Sequence, residues 1–374
     1  MSKLSGPKIL MTGGHLTPAL ATIEKLKSRS RLLFVGRSYS DSDHSASREH
    51  QLIRQAGIDF RTFNPPKFHR KPLSLNFVEA LRYPGALVKA ATIVRAFSPD
   101  IVLSFGGYLA PPIALAAYFQ DIPVITHEQT TTLGLGNQLI TLFATKLALS
   151  WPTPVHRSNA ILTGNPVRSA FLGKPTKPAW YRSPDSLPTI YITGGNLGSR
   201  DIITAVAAHL NTLAAKYYLV IQTGAGNHGA NQQTIAAAAR QLDPHRQRHV
   251  HAAPWFTAAE TSYLMHTADL VVGRSGANTA TELLITKASS ILIPLPFSGR
   301  AEQLGNALLL QRLGLAVHLP QTNLDLLPQL IDRQLSSRPP PASSRLTSLI
   351  KLHTQAASNL ADLTLSCAAA KNLH

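Results

Sequence analysis

Residues 270–306 hold the densest set of groups that could do chemistry. A β-branched run, Leu270-Val271-Val272, ends at Gly273, then Arg274-Ser275-Gly276-Ala277-Asn278 follows and a helical pattern opens at Thr279. Strand, small-residue turn and helix in that order gather several backbone N–H groups and a helix N-terminus around one point, which is an anion site suited to phosphate. The N–H groups of Ala277, Asn278 and Thr279 are its donors. Glu282 lies one turn into the helix, where a carboxylate can accept hydrogen bonds from the two hydroxyls of a ribose. A second strand over residues 290–294 leads into another loop, and Gln303 and Asn306 follow on the next helix, with amides that suit sugar hydroxyls. Taken singly, Gly276 is an ordinary tight turn and Glu282 a solvated helix residue, the commoner state of a carboxylate. In this order they read as phosphate, ribose and sugar, a nucleotide-sugar site.

A second set lies near the start. Thr12-Gly13-Gly14-His15-Leu16-Thr17-Pro18 follows a buried strand and precedes a helix over about residues 19–27. Gly13 and Gly14 allow close approach to the backbone. His15 at a helix N-terminus reads either as a structural histidine packing the turn or as a general base. The positive helix end disfavours imidazolium and keeps the ring able to take a proton. His127-Glu128-Gln129 ends another strand, where open α/β sheets bind ligands, and Glu128 is the second candidate for the base. Asp41-Ser42-Asp43-His44 has the form of a metal-binding Asp-x-Asp but sits in a Ser-rich polar stretch, so it reads as a turn and no metal is expected. No cofactor is expected either.

These sets need strands to carry them. Strands are expected over residues 8–11, 31–35, 101–104, 123–126, 146–150 and 161–163, with helical patterns between them. That alternation predicts a parallel sheet with helices on both faces. The pattern restarts at Thr189-Ile190-Tyr191-Ile192, followed by Thr193-Gly194-Gly195-Asn196-Leu197-Gly198, a near copy of the first turn. Each turn opens a Rossmann-like domain, and residues 173–178, rich in Pro and Lys, read as a linker. Neither turn matches Gly-x-Gly-x-x-Gly, which argues against a dehydrogenase. Residues 344 to about 370 read as helical after the Pro-rich 336–341.

The chain has 374 residues, enough for two domains, and its 44% hydrophobic and 15% charged content describes a globular protein. The formal net charge of +17 favours anionic partners but is spread out, so it does not choose among nucleic acid, acidic lipid and phosphorylated substrate. Cys367 is the only cysteine, so an intrachain disulfide is excluded and a reducing compartment is expected. No signal-peptide pattern and no apolar run of spanning length stand out, which predicts a cytosolic or membrane-peripheral protein. Leu73, Phe77, Leu81, Tyr83 and Leu87 lie among Lys67, Arg70, Lys71, Arg82 and Lys89. As a helix this is either a membrane-surface patch or a core-facing helix with a solvated edge.

Gly-Arg-Ser-Gly-Ala-x-Thr-x-x-Glu from Gly273, then Pro-x-Pro-x(6)-Gln-x-x-Asn-Ala from Pro294, resembles the donor-site signature of the bacterial peptidoglycan glycosyltransferases. The resemblance runs collinearly over about residues 7–335 and includes Thr12-Gly13-Gly14-His15-x-x-Pro18, Ser104-Phe105-Gly106-Gly107-Tyr108, His127-Glu128-Gln129 with Gly134 and Asn137, and Gly164-Asn165-Pro166-Val167-Arg168. It implies a GT-B α/β architecture, two Rossmann-like parallel-sheet domains facing a cleft. The first would span residues 1–167 and hold the acceptor and membrane. The second would span 168–343 and hold the UDP-sugar, with the helices of 344–374 packing back on the first. It implies inverting transfer of N-acetylglucosamine from UDP-N-acetylglucosamine to the muramoyl-pentapeptide diphospho-undecaprenol lipid, lipid I to lipid II, on the anionic cytoplasmic face of the membrane, with no nucleic-acid partner. By the same resemblance His15 is the base and Arg168 reaches the donor diphosphate. Tyr108, Thr130, Asn137 and Asn196 join Thr12, Gly13 and Gly14 among the substrate-binding positions. Thr130 stands where the family has Asn, Asn196 where it usually has Ser, and Leu10 and Met11 where it has further glycines. A diacylglycerol glycosyltransferase, a UDP-sugar epimerase and a non-catalytic nucleotide-sugar-binding subunit remain alternatives.

Overall fold

A computed structural model describes residues 6–39, 47–67, 73–153, 157–183, 187–195, 197–224, 226, 229–297, 301–336 and 343–371, with the side chains of 48 and 73–78 left aside. Asn196, residues 41–44, Arg70 and Lys71 lie outside the described residues, as do the side chains of Leu73 and Phe77. The chain divides into two compact units, Met1–Arg168 with Leu352–His374, and Ser169–Lys351.

In chain order the first unit holds β1 Lys8–Gly13, α1 Leu16–Leu26, β2 Arg31–Gly36, α2 Arg48–Gln55, β3 Asp59–Thr62, α3 Leu73–Phe97, β4 Ile101–Phe105, α4 Ala110–Tyr118, β5 Val124–Glu128, α5 Leu135–Ile140, β6 Lys146–Leu149 and β7 Ala160–Leu162. The second holds β8 Thr189–Thr193, α6 Arg200–Ala208, α7 Leu210–Ala214, β9 Tyr218–Gln222, α8 Ala230–Arg240, α9 Pro244–Gln247, β10 Val250–Ala253, α10 Ala258–Thr267, β11 Leu270–Gly273, α11 Ala277–Thr286, β12 Ser290–Leu292, α12 Glu302–Arg312, β13 Ala316–His318 and α13 Leu327–Ser336. The last helix, α14, spans Ser344–Lys371, and its residues from Leu352 onward belong to the first unit.

The two sheets repeat one topology. Their orders are β3-β2-β1-β4-β5-β6-β7 and β10-β9-β8-β11-β12-β13, and every pairing is parallel. Parallel strands need helical crossovers, which cover both faces, so the central strands must be apolar on both sides. β4, β5, β8 and β9 are buried at every position. Along β1, Leu10 joins the core formed with α3, α4 and α5. Its neighbours Ile9 and Met11 join the core on the other face, with α1, α2 and Leu360, Ala361 and Ala368 of α14. α3 is therefore partly a core helix: Ala86, Ala90 and Val94 are buried, while Leu81, Arg82, Val88 and Lys89 are exposed.

Two helix starts differ from the sequence reading. α11 starts at Ala277, two residues before Thr279, because Gly276 in extended conformation is its N-cap. α1 starts at Leu16, so His15 is the N-cap and Pro18 lies inside the first turn, where a missing N–H costs nothing.

Each sheet reverses direction once, between β1 and β4 and between β8 and β11. The loops leaving adjacent strands in opposite senses open a crevice there, the general ligand position of open α/β sheets. Backbone sterics hold the first crevice tight. A Cβ at Gly14 would come 2.7 Å from Gly107 Cα, one at Gly107 would come 2.8 Å from Gly14 Cα, and one at Gly136 would come 2.5 Å from Gly107 O. Gly106 and Gly107 also have φ of +68° and +76°. Gly14→Ala should therefore cost roughly 1–3 kcal/mol, the usual penalty of forced overpacking. Gly85, in the body of α3 with no atom within 4 Å of an added Cβ, should gain about 0.5–1 kcal/mol as Ala. Urea unfolding of both variants checks the pair. Equal stabilities would show that the close approach at Gly14 is not a constraint.

Candidate active site

In the first unit, the ends of β1, β4 and β5 bring together Thr12 to His15, Ser104 to Tyr108 and His127 to Thr130. Register places Thr12 beside Ser104 and Ser104 beside Thr126. The three hydroxyls are buried. Ser104 Oγ accepts from Gly106 N–H at 3.1 Å and from Thr126 Oγ1–H at 3.1 Å.

Glu128 is buried, and its carboxylate is the hub of the next loop. Oε1 accepts from Thr130 N–H at 3.0 Å and from the Thr130 hydroxyl at 2.8 Å. Oε2 accepts from Gly134 N–H at 2.8 Å and from Asn137 Nδ2 at 2.8 Å. Asn137 also donates to His127 O at 3.1 Å, and its Oδ1 lies 2.6 Å from Thr126 Oγ1. Glu128, the second candidate base, and Thr130 and Asn137, candidate ligand contacts, are all buried, the latter two bonded to the Glu128 carboxylate. Thr130 keeps the loop closed from within, which a hydroxyl at short reach can do as an Asx-type side chain does.

His15 is the half-buried N-cap of α1, with φ −129° and ψ 97° and no side-chain cap bond. Its Nδ1 lies 2.8 Å from Gln129 Nε2. Burial lowers its pKa from the ordinary histidine value, against the opposing pull of the Glu128 charge. The ring is therefore neutral at neutral pH. Tyr108 stands under two cations, with Arg37 5.7 Å and Lys67 5.5 Å from its ring centroid. Arg168 is half-buried at the end of the first unit.

Behind the loops lie residues whose roles the sequence does not disclose. His127 Nε2 is 3.2 Å from Gly164 O and 3.0 Å from Ser150 Oγ. His353 of α14 accepts Asn165 N–H at Nδ1, 2.9 Å, and its ring sits 4.2 Å from that of Trp151. Burial lowers His127 to about 4, assisted by repulsion from His15 and opposed by Gly164 O and Glu128. Burial and the His127 charge lower His353 to about 3.

In the second unit the loops after β8 and β11 flank the reversal point. Gly195 N–H donates to Thr193 Oγ1 at 3.1 Å, and Gly195 O accepts from Gln222 Nε2 at 3.1 Å. Tyr191 OH in turn donates to Gln222 Oε1 at 3.3 Å. A Cβ at Gly198 would come 2.1 Å from Thr223 O and one at Gly224 2.2 Å from Gly198 N, so this turn also needs its glycines. Ala277, Asn278 and Thr279 form the first turn of α11, whose N–H groups have no intrahelical acceptor. Glu282 is buried on the same helix. Gln303 Oε1 accepts Leu295 N–H at 3.0 Å, and Asn306 Nδ2 donates to Ser275 O at 2.9 Å. Ser275 Oγ–H donates to Gln303 O at 2.7 Å. The two amides thus brace the loops after β11 and β12, a task their sequence positions do not announce. Arg274 does likewise, donating to Ile293 O at 3.1 Å and Pro294 O at 3.3 Å and pairing with Asp201 at 3.5 Å.

Sequence comparison bears on this geometry. The N-terminal domain of glycosyltransferase family 28 matches residues 12–149 and its C-terminal domain residues 189–361. A UDP-N-acetylglucosamine–N-acetylmuramyl-(pentapeptide) pyrophosphoryl-undecaprenol N-acetylglucosamine transferase of Clostridium botulinum (strain Langeland) is 30% identical over 331 residues, 85% of this chain and 87% of that protein. Its counterpart in Clostridium kluyveri is 30% identical over 335 residues, 87% of this chain and 89% of that one. The chain belongs to this N-acetylglucosamine transferase family. Its fold is that of GT-B glycosyltransferases. The crystal structure of Acinetobacter baumannii MurG superposes with a TM-score of 0.65 at 24% identity, covering 96% of this chain and 99% of that one. The calicheamicin glycosyltransferase CalG4 superposes at 0.65 with 12% identity, covering 97% and 98%.

The two buried histidines make the first unit of this transferase acid-sensitive. In the unfolded chain they take up protons from about pH 6.5 downward, whereas the folded state refuses them until about 4 and about 3. Stability is therefore lost as pH falls from about 6.5, by roughly 3 kcal/mol at His127 alone once pH 4 is reached. His353→Gln keeps an acceptor for Asn165 and removes one proton site. Urea midpoints measured from pH 7 to pH 4 should fall less steeply in this variant. Parallel slopes would mean that His353 is protonated in the folded protein.

Proposed function

We propose that this chain transfers N-acetylglucosamine from UDP-N-acetylglucosamine to the muramoyl-pentapeptide diphospho-undecaprenol lipid, converting lipid I to lipid II with inversion at the anomeric carbon. The observation that carries this reading is the relationship to transferases of that name across 85% of the chain. In this reading the residues take the following roles. The muramoyl hydroxyl attacks the anomeric carbon while His15 takes its proton, and the bond to UDP breaks. The ring's neutrality, enforced by burial, is what this step requires. On the donor side the N-terminal turn of α11, residues 277–279, meets the growing diphosphate charge, and the Glu282 carboxylate takes the ribose hydroxyls. The site glycines let the ligand approach main chain. Glu128, Thr130 and Asn137 hold the loop that carries Gln129.

The protein works, in this reading, as a peripheral enzyme on the cytoplasmic face of the membrane. No helix among the described residues is long and apolar enough to cross a membrane. The first unit exposes Leu81 and Val88 on α3 beside Arg82 and Lys89, Phe119 just past α4, and Leu139 and Leu142 at the end of α5. Apolar side chains among cations suit an anionic bilayer surface, and the net charge of +17 adds long-range attraction.

Two substitutions test the chemistry together. His15→Ala should lower turnover by roughly 10²–10⁴-fold with little change in UDP affinity. Glu282→Gln keeps shape and loses charge, so UDP affinity by calorimetry should drop about tenfold or more. Transfer of label from UDP-N-acetylglucosamine to a lipid I analogue is the readout. The wild-type rate should rise with pH through a limb below the ordinary histidine value, because the lowered pKa leaves the base neutral from there upward. Conversion of UDP-sugar without acceptor would instead indicate an epimerase, and full turnover in His15→Ala would reduce His15 to a structural cap.

Membrane docking is tested by sedimentation with phosphatidylglycerol vesicles. Binding should weaken as salt rises, and Leu81→Glu with Val88→Glu should weaken it further at constant salt. Equal binding to neutral vesicles would refute the electrostatic part.

A further inference from the structure

Gln129 is held at one end and engaged at the other. Its backbone carbonyl accepts the Trp151 indole N–H at 3.1 Å, and its carboxamide meets His15 Nδ1 at 2.8 Å. Gln129 and Trp151 are both buried, and Trp151 packs on His353 of α14. The residue is thus clamped through its main chain before its side chain reaches the histidine.

A neutral imidazole carries one proton, and only the other nitrogen can accept a second. Whatever faces Nδ1 therefore decides whether Nε2 is a base. In Ser-His-Asp triads a carboxylate does this. Here the neighbouring carboxylate, Glu128, is committed to Thr130, Gly134 and Asn137. With its nitrogen towards His15, Gln129 leaves Oε1 buried without a hydrogen bond. A half-turn of the carboxamide places Oε1 against Nδ1 and gives it a donor.

We propose that Gln129 is the positioning residue of the proton transfer: its Oε1 accepts the Nδ1–H of His15 and leaves the Nε2 lone pair for the acceptor hydroxyl. This rests on His15 being the base. The hydroxyl proton passes to Nε2 as the new glycosidic bond forms and the bond to UDP breaks, and the imidazolium later returns that proton to solvent. A neutral partner orients the ring without raising its basicity, so the base keeps the low pKa that burial gives it. The titratable groups around it are Glu128 and His127 of β5 and, beside Gly13, Glu49 of α2.

Long-range ¹H–¹⁵N spectra of the full-length protein report the tautomer directly, with the His15 signal found by its loss in His15→Gln. Above the acidic limb the ring should carry its proton on Nδ1. Gln129→Leu removes the acceptor and should lower kcat by tenfold or more, with the KM for UDP-N-acetylglucosamine nearly unchanged. Gln129→Glu keeps an acceptor and adds charge, so it should keep the Nδ1–H tautomer and move the acidic limb of kcat upward by about one pH unit or more. An Nε2–H tautomer in the wild type would overturn the proposal. So would a folded Gln129→Leu protein with unchanged kcat and pH profile, while an inactive His15→Ala would leave the base itself standing. Should Gln129→Leu not fold, the wild-type spectrum and the Gln129→Glu profile decide.

Discussion

Main chain touching main chain is the constraint on which the first unit's site depends. Gly14 and Gly107 approach so closely that neither tolerates a Cβ, and Gly136 presses on the carbonyl of Gly107. Three loops from three places in the sequence are thereby locked at one point. The parallel sheet makes this necessary. Its faces are covered by helices, so its unpaired main-chain groups are reached only where strands end. The second unit solves the same problem with Gly198 and Gly224. Each then starts a helix at the reversal point, α1 and α11, and sets a different group there. In one it is a histidine, in the other the first-turn N–H groups of a helix.

A site cut into a protein interior must satisfy its own buried polar groups. Glu128 would be costly there alone, since an unpaired buried charge loses its hydration. Two main-chain and two side-chain donors replace that hydration and in doing so shape residues 128–137. The same logic governs Ser104 and Thr126 behind the loop and Gln222, Gln303 and Asn306 in the other unit. Amides and hydroxyls that a motif reading assigns to ligands are in part the fasteners of the loops that present ligand-binding groups.

The strands, the two glycine turns and the helix start at α11 were legible because each is a local matter: a β-branched run, a residue that must lack a Cβ, a helix start after a small-residue turn. β3 was not, because Asp59-Phe60-Arg61-Thr62 is an edge strand with three polar residues and no apolar run. The inward turn of Thr130 was not legible either, since a hydroxyl gives no sign of which way it points. Nor was the partnership of His353 with Asn165, which spans 188 positions. Gln129 was visible as part of a motif, yet its contact with His15 crosses 114 positions and depends on how β1 and β5 lie in the sheet.

That long reach has a consequence for how the first unit is built. Its sheet is closed on one face by Leu360, Ala361 and Ala368, and α14 also supplies the partner of Asn165 and, through Asn359, a donor to Thr163 O at 3.2 Å. Residues 169–351 intervene. Closing so long a loop costs little more than closing a short one, because the entropy grows only with the logarithm of length. The separation is therefore tolerable in free energy, and the burial of α14 offsets it. What the separation requires is that α14 dock to complete the first unit's core. Until residues 352–371 dock, the face of Ile9, Met11, Ile101 and Leu103 is incompletely covered, and Trp151 lacks the ring it packs on. The clamp on Gln129, and with it the setting of His15, is thus backed by α14 through the packing of His353 on Trp151.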